Sequence, residues 1–358
     1  MDTLYKKAVT GIIIVSFLIL LQLIFIFLQR KNERQENLDA DSRETPRLFR
    51  ATLLAFGDIN LGRKVGTRIF HGEINHPFEK IDLRADSADI VFANLESPLS
   101  DQNGVTVDPK NNLVFTGPSQ AAKSLANAGI TLVSTANNHA LDFGTKALGE
   151  TIENLQKENI LHIGTSKSRE RLFDPLIIEK NNIKFAIFGV TASVNFSPKN
   201  WRNSVAYADT VELLKQIERC RNSVDFLIVS YHGGIEYTNK PVKKAVSFAE
   251  WCVRNGADLV LGHHPHVTFG ITQANGKIIV HSLGNFVFNQ PQYYWTQRSY
   301  GVKFFFAKSD TGKSVRIEKI FPLNVGRQTE RLTDSTELKK LLARTNKLSN
   351  FDVSLYWK

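Results

Sequence analysis

The segment that most constrains the fold is LVLGHHPH, residues 259–266, in which an apolar run ends in a glycine and three histidines. Histidine is the side chain that most often ligates metal ions, so three histidines after a strand indicate a metal site. One loop cannot enclose a metal ion by itself. The remaining ligands should therefore follow other strands, because a parallel sheet brings its strand-end loops onto one edge.

Four further polar motifs come directly after apolar runs: FGD at 56–58, NLE at 94–96, NNH at 137–139 and YHGG at 231–234. Helix-like segments such as 119–128 and 145–158 separate the runs. That alternation is typical of βαβ units and predicts a largely parallel sheet. The predicted strands are 51–58, 89–96, 130–138, 226–232 and 258–264.

After the histidine loop, the pattern changes to short strands joined by turns. These strands are predicted at 267–272, 277–281 and 302–307. Neighbouring strands joined by short turns usually pair antiparallel. The chain should therefore form a second sheet, mixed or antiparallel, in addition to the parallel one.

The amino-terminal segment predicts a membrane anchor. Residues 8–28 carry no charged side chain, and a helix of this length spans roughly 31 Å, enough to cross a bilayer. The run is long for a cleaved secretory signal, and no small-residue cleavage site follows it. We therefore expect an uncleaved anchor at 1–29, a polar linker at 30–50 without apolar periodicity, and a folded domain from Ala51.

The charges that flank the anchor bear on its orientation. Lys6 and Lys7 precede the apolar run, whereas Arg30, Lys31 and Arg34 follow it. Positive charges favour the cytoplasmic side of a membrane. Taken alone, this count predicts that the domain is cytoplasmic.

The chain's net charge of +10 is concentrated towards its end, where residues 308–347 hold ten Lys or Arg against five Asp or Glu. A basic surface suits an anionic membrane or a polyanionic substrate. The sequence contains no nucleic-acid-binding module, and its two cysteines, Cys220 and Cys252, cannot form a zinc ribbon. Nucleic acid is therefore a weaker candidate partner than a carboxylate-rich or phosphate-rich molecule.

The residues of the polar motifs form a mixed oxygen and nitrogen ligand set, which suits Zn, Mn or Fe better than Ca. Glu96 could bridge two cations, and His139 would stand beside them as a proton donor. Any one of these motifs, taken alone, is more often a helix cap or a turn than a metal site. Five motifs that all follow predicted strands and all contain possible ligands are poorly explained as five unrelated caps. The candidate metal ligands are Asp58, Glu96, Asn138, His232, His264 and His266.

Arg63, in the segment GDINLGR, is a candidate for binding a substrate anion through its two-pronged guanidinium group. The alternative is a structural salt bridge.

The order of these motifs resembles the CapA family, named for poly-γ-glutamate capsule biosynthesis, across residues 51–325. The matching segments are GDINLGR, NLESPLS, STANNHALDFG, YHGGIEYTNKP, GADLVLGHHPHV and HSLGNFVF. That family is similar to the calcineurin-like metallophosphoesterases. The resemblance implies a two-sheet α/β sandwich, two divalent transition-metal ions held by the six residues above, and His139 as catalytic proton donor. The basic segment 326–358 lies beyond the match, and we expect it to be a carboxyl-terminal extension.

The sequence departs from the phosphoesterase pattern at several positions. Asn60 stands where the first motif usually has a histidine, so it either replaces a ligand or leaves the first metal weakly held. We place Asn60 with Arg63 among the substrate-binding candidates. Glu96 stands where aspartate is usual, and Gly233 where tryptophan is frequent. His263 remains an alternative to His264 as a ligand, although the one-residue spacing of His264 and His266 favours the latter pair.

The resemblance also implies an outward-facing domain on a single-pass anchor in the cell membrane, acting with other capsule-biosynthesis membrane proteins on an anionic polymer. This conflicts with the charge count around the anchor, and we follow the resemblance because charge only biases a single anchor. Two functions are then open. One is a metal-dependent hydrolase or transferase acting on a phosphoester or amide bond, and the other is a non-catalytic component that binds the polymer for export.

Overall fold

The computed structural model describes residues 2–41, 47–195 and 200–357. The chain divides into two compact units, residues 1–48 with 309–311, and residues 49–308 with 312–358. The helices are α1 (Asp2–Asp41), α2 (Arg63–Phe70), α3 (Ala121–Ala128), α4 (Gly144–Lys157), α5 (Thr210–Cys220), α6 (Lys243–Arg254) and α7 (Ser335–Lys347).

The strands of the described residues all lie in the second unit except where β12 reaches Ser309. They are β1 (Phe49–Ile59), β2 (Ile90–Leu95), β3 (Leu132–Ser134), β4 (Leu161–Ile163), β5 (Leu176–Lys180), β6 (Ile183–Thr191), β7 (Phe226–His232), β8 (Leu259–His263), β9 (Ile271–Ala274), β10 (Lys277–Val280), β11 (Asn285–Val287), β12 (Arg298–Ser309), β13 (Gly312–Asn324) and β14 (Glu330–Arg331).

The first helix contains a long apolar segment that is exposed. Within Asp2–Arg34, the most apolar 18-residue window has a mean hydropathy of 3.0 and is 0% buried. By length and composition this helix could cross a membrane, which is compatible with a single-pass anchor. The helix continues to Asp41, so the first part of the segment expected to be a linker is helical. The first strand begins at Phe49, two residues before the predicted start of the domain.

Two sheets pack face to face in the second unit. The first has the strand order β14-β13-β12-β1-β2-β3-β4, with β11 also paired to β1, and the second has the order β5-β6-β7-β8-β10-β9. Leu53 and Phe92 of the first sheet share one buried cluster with Phe185, Phe226 and Leu259 of the second. The predicted two-sheet α/β architecture is therefore confirmed.

Helices cover the outer face of each sheet. Successive side chains of a strand point to opposite faces, so Leu53 faces the other sheet while Leu54 packs with Leu125 of α3. On the second sheet, Leu227 packs with Leu213 of α5 in the same way. Strands covered on both faces read as continuous apolar runs, which is why the sequence pattern revealed them.

The prediction of one parallel sheet for all five motif-bearing strands is wrong. Strands β1, β2 and β3 are parallel neighbours in the first sheet, but β7 and β8 belong to the second, beside β6. The hairpin β5-β6 starts that second sheet and was not predicted. Its turn residues Asn181 and Asn182 have φ values of 52° and 63°, as a tight two-residue hairpin turn requires. These two adjacent asparagines were the feature of the sequence from which the hairpin turn could have been predicted.

The strands after the histidine loop also divide between the sheets. Strands β9 and β10 complete the second sheet, which is mixed as predicted, whereas β12 pairs antiparallel with β1 in the first. The segment expected as a separate extension at 326–358 contributes to the domain, since Leu341 and Val353 are fully buried. Cys220 and Cys252 are buried free thiols.

Both sheets direct the carboxyl ends of their parallel strands towards one region. At the end of β1, the backbone N–H of Asp58 donates to the carbonyl of Gly284 at 2.9 Å. A Cβ atom on Gly57 would lie 1.9 Å from that same carbonyl oxygen. Glycine at 57 therefore allows the close approach that sets Asp58 beside Asn285 of β11, its partner in the strand register.

Candidate metal centre

The polar side chains at the strand ends meet in one buried cluster between the two sheets. Asp58 and Glu96 come from the first sheet, and His232, His264 and His266 come from the second or the loop after it. Two sets of three possible ligands occur, Asp58 with Glu96 and His266, and Glu96 with His232 and His264. In each set the ligand atoms lie within 4.8 Å of one another. Glu96 belongs to both sets.

Glu96 lies at the middle of the cluster. Its Oε1 atom is 3.7 Å from Nε2 of His232 and 3.7 Å from Nε2 of His266. The Nδ1 atom of His266 lies 3.4 Å from Oδ2 of Asp58. Asn138 adds its Oδ1 atom, 2.7 Å from Nε2 of His232. The structure thus brings together all six residues that the sequence predicted as ligands.

Glu96 is buried without a hydrogen bond to its carboxylate from the described residues. Its side chain is 0% exposed, and neither carboxylate oxygen has a hydrogen-bond partner there. Burying a carboxylate without hydrogen bonds is costly. The nitrogen atoms at 3.7 Å are too distant for hydrogen bonds, but their spacing suits two ligands of one cation with bonds of about 2.1 Å. These residues therefore fit a divalent metal ion.

Burial, hydrogen bonds and neighbouring charges shift the pKa values of the side chains in the cluster. Burial raises the pKa of Glu96 well above its usual value. Burial also opposes ionisation of Asp58, but hydrogen bonds from histidines hold the pKa of that carboxyl well below its usual range. Burial lowers the pKa of His232, and that of His264 to about 4, so both offer neutral nitrogen lone pairs. The charges of Glu96 and Asp58 overcome burial and raise the pKa of His266 to about 9.

Two asparagines hold the candidate ligands in place, and neither was among the predicted site residues. The Nδ2 atom of Asn94 donates to Oδ1 of Asp58 at 2.8 Å and lies 3.1 Å from Nδ1 of His232. Asn285 sets its Oδ1 atom 2.9 Å from Nδ1 of His266. Such outer contacts orient histidine ligands. The position of Asn94 could have been predicted from the sequence. Alternate residues of a strand point to the same face, and Asn94 lies two residues before Glu96.

The histidine loop has strained backbone conformations at two positions. His264 and His266 have φ values of 97° and 58°, which few residues other than glycine adopt. The N–H of His264 donates to Oδ2 of Asp58 at 3.1 Å and so helps to hold the loop. This conformation groups His264 with Glu96 and His232. The Nδ1 atom of His263 lies 3.4 Å from Oδ1 of Asp58.

His139 lies beside the cluster with both ring nitrogens engaged. Its Nδ1 atom is 2.8 Å from Oδ2 of Asp142, and its Nε2 atom is 4.0 Å from Oε1 of Glu96 and 3.2 Å from Nδ2 of Asn195. The ring stacks on Phe115 with centroids 4.1 Å apart. Asp142 also accepts the N–H of Phe115 at 2.9 Å. Asp142 was not among the predicted site residues, although it lies three residues after His139 in the motif NNHALD.

The two substrate-binding candidates lie at the edge of the site, outside the ligand cluster. The Oδ1 atom of Asn60 accepts the N–H of Gly62 at 2.8 Å. The guanidinium group of Arg63 donates to the carbonyl of Asn112 at 2.6 and 3.1 Å and lies 4.6 Å above the Phe115 ring. Among the described residues, Arg63 thus makes a carbonyl contact and a ring contact, and no salt bridge of the kind considered as its alternative.

Two packed sheets whose strand-end loops gather carboxylate, amide and histidine side chains define an α/β protein with a candidate metal centre. Within that class the family is shown by sequence. The family model described as "Bacterial capsule synthesis protein PGA_cap" matches residues 52–290. The chain belongs to this family of bacterial capsule synthesis proteins, which confirms the resemblance seen in the motifs.

Two curated relatives show the extent of the similarity. The chain is similar to the PGA biosynthesis protein CapA of Bacillus subtilis (strain 168), with 29% identity over 302 residues, 82% of this chain and 77% of the relative. It is 28% identical over 283 residues to the capsule biosynthesis protein CapA of Bacillus anthracis, covering 76% of this chain and 67% of the relative. A solved structure from Thermus thermophilus has a TM-score of 0.39 and 10% identity, over 70% of this chain and 93% of that one.

Proposed function

We propose that the domain is a metal-dependent hydrolase or transferase that acts on a phosphoester or amide bond in an anionic capsule polymer of the poly-γ-glutamate type. The observation that carries this proposal is Glu96, a fully buried carboxylate without a hydrogen-bond partner among the described residues and shared by two sets of possible ligands. Membership of a capsule synthesis family supports the choice of polymer.

Two divalent transition-metal ions, Mn, Zn or Fe, are the cofactors that this ligand set would hold. Asp58, Glu96 and His266 would bind the first ion. Glu96, His232 and His264 would bind the second, together with the amide oxygen of Asn138. Asn94 and Asn285 would keep the histidine rings turned towards the ions.

When bound, the ions would lower the pKa of a coordinated water so that it can attack a phosphoryl or acyl centre at neutral pH. The Nε2 atom of His139 lies 4.0 Å from Oε1 of Glu96, and we assign it as the donor of a proton to the leaving group. Asp142 accepts the Nδ1 proton of His139 and so fixes the ring. Nε2 would donate when the ring carries both protons, as an imidazolium. Phe115 shields one face of the ring from water.

A non-catalytic role in polymer binding or export is the second candidate function. Asn60 is the observation that favours it, since a ligand expected in the first motif is replaced by an amide whose oxygen is already bound to Gly62. A metal centre held by fewer ligands would serve to bind an anionic group without turning it over.

The test is metal content paired with turnover on the full-length protein, purified in detergent without chelator. We expect one or two transition-metal ions per chain and cleavage of a generic phosphodiester or a γ-glutamyl amide. A control preparation treated with chelator should lose both properties and regain them with Mn or Zn. Protein that is metal-free as purified and cannot be loaded with either ion would refute the proposed function.

For the location we propose the cell membrane, with α1 as a single-pass anchor, the domain outside the cell and other capsule-biosynthesis membrane proteins as partners. The apolar, unburied helix supports the anchor, and family membership supports the side and the partners. The charges flanking the helix favour the opposite side.

We expect α1 to keep the protein in the membrane through washes with high salt and carbonate, because roughly 20 buried apolar residues hold a helix more firmly than surface charges do. Protease added to intact cells should then degrade the domain while a cytoplasmic marker protein survives. Protection of the domain until the cells are lysed would show that the charge count gives the true orientation.

A further inference from the structure

A cavity lies beside the candidate metal centre, at the start of helix α2. It has a volume of about 470 Å³, and we call it the α2 cavity. Its walls come from the start of α2, from the loop at 106–113 and from residues 289 and 292. Its polar lining includes Asn60, Arg63, Lys64, Thr106, Asn112 and Gln292.

The charge in the α2 cavity is positive only. Arg63 and Lys64 line it, and the lining within the described chain includes no Asp or Glu. Lys64 is exposed and makes no ion pair with the residues that the structure describes. The amino-terminal end of α2 points its partial positive charge to the same place, and its N-cap, Gly62, has no side chain with which to neutralise it.

Asn60 provides an independent indication of a ligand. Its side chain is only 4% exposed, and its amide oxygen accepts the N–H of Gly62. Its Nδ2 group donates to no residue in the described part of the chain, and Asn60 lines the cavity. This donor is therefore open to a ligand. An acceptor atom bound within the α2 cavity would receive a hydrogen bond from Nδ2 of Asn60.

The cavity is coupled to His139 through one aromatic ring. The guanidinium group of Arg63 lies 4.6 Å from the centre of the Phe115 ring, and that ring stacks on His139 at 4.1 Å. A group bound to Arg63 would therefore be fixed one ring away from the proposed proton donor. Leu113, 63% exposed, adds an apolar contact at the cavity wall.

We propose that the α2 cavity is a subsite for a carboxylate group of an anionic polymer, which Arg63, Lys64 and the amide of Asn60 bind while Leu113 packs on the methylene groups between carboxylates. The identity of the polymer rests on the proposed function, whereas carboxylate binding does not. Asn60 would then bind the substrate, at a position where the phosphoesterase pattern has a metal ligand. A carboxylate held here sets which bond of the polymer lies at the metal centre.

The test is calorimetric titration of the full-length protein in detergent with a short γ-linked glutamate oligomer, with and without chelator. Lys64→Glu should weaken binding by about fivefold, because an attraction becomes a repulsion at an exposed site. Arg63→Gln should weaken it by about tenfold or more, since a two-pronged contact is lost. The matched control is Lys339→Glu, which makes the same charge change at an exposed lysine of α7 outside the cavity.

An oligomer whose carboxylates are converted to amides should bind weakly and equally to the wild type and to Lys64→Glu. The subsite is refuted if Lys64→Glu and Arg63→Gln bind the acidic oligomer as the wild type does, or if Lys339→Glu weakens binding equally. Displacement of the oligomer by inorganic phosphate at equal concentration would overturn the assignment to carboxylate. Because chelator-treated protein is included, absence of turnover would refute the hydrolase and leave the subsite result intact.

Discussion

Replacing Glu96 by glutamine should remove at least one metal ion per chain and reduce turnover by more than about 100-fold. Loss of a contact outside the ligand shell typically costs 10- to 100-fold in metal affinity or activity, and Glu96 would be a ligand of both ions. The amide keeps the shape of the side chain but carries no charge to bridge two cations. Metal analysis by mass spectrometry and a turnover assay on the same samples would measure both effects.

The stability of Glu96→Gln separates a metal site from a structural role. In chelator, the variant should unfold at the same temperature as the wild type or higher, because a neutral amide replaces a buried carboxylate that lacks hydrogen bonds. Glu150→Gln is a suitable control, since Glu150 accepts a hydrogen bond from Ser100 away from the cluster. A Glu96→Gln protein that is less stable than the wild type in chelator would show that Glu96 stabilises the fold and does not serve to bind metal.

Replacing His139 by alanine should leave the metal content unchanged and reduce turnover by about 10² to 10⁴-fold, the usual contribution of a positioned proton donor. His139 lies 4.0 Å from Glu96 and belongs to neither set of possible ligands. Asp142→Asn should retain metal as well and lose less activity, with a changed pH profile, because the ring would lose the carboxylate that accepts its Nδ1 proton.

The same variant separates the two proposed functions when polymer yield is measured in cells. A catalytic role requires that His139→Ala and Glu96→Gln both abolish polymer formation or processing. If polymer yield is normal with His139→Ala and collapses with Glu96→Gln, the metal centre is needed for binding, and the non-catalytic function is correct. A His139→Ala protein that has lost its metal would contradict the position given to this residue.

The ends of the strands could be predicted because both the strands and their ends are local features of the sequence. Strand β7 runs from Phe226 to His232, as predicted, since it is buried throughout and begins with the apolar run FLIV. The assignment of strands to sheets depends on pairing between distant segments, which periodicity does not encode. The sequence therefore located Asp58 and His232 at strand ends but wrongly placed their strands in one sheet.

The candidate site shows the same division. Residues of ligand type directly after strands, such as Glu96 and His266, were visible in the sequence. Asn94 and Asp142 were missed because they act on another side chain, and that relation depends on geometry. The position of His264 beside Glu96 and His232 depends on a backbone conformation with a φ of 97°, which histidine seldom adopts and a residue pattern does not predict.

The possible ligands are drawn from both sheets, and this has a mechanical consequence. Asp58 and Glu96 stand on one layer of the sandwich, and His232, His264 and His266 stand on the other or on its loop. A metal ion bound by residues of both layers would link the two sheets at the end of the sandwich where the parallel strands finish. Since metal-binding free energy then adds to folding free energy, the capsule protein's resistance to heat would report how well it is supplied with metal.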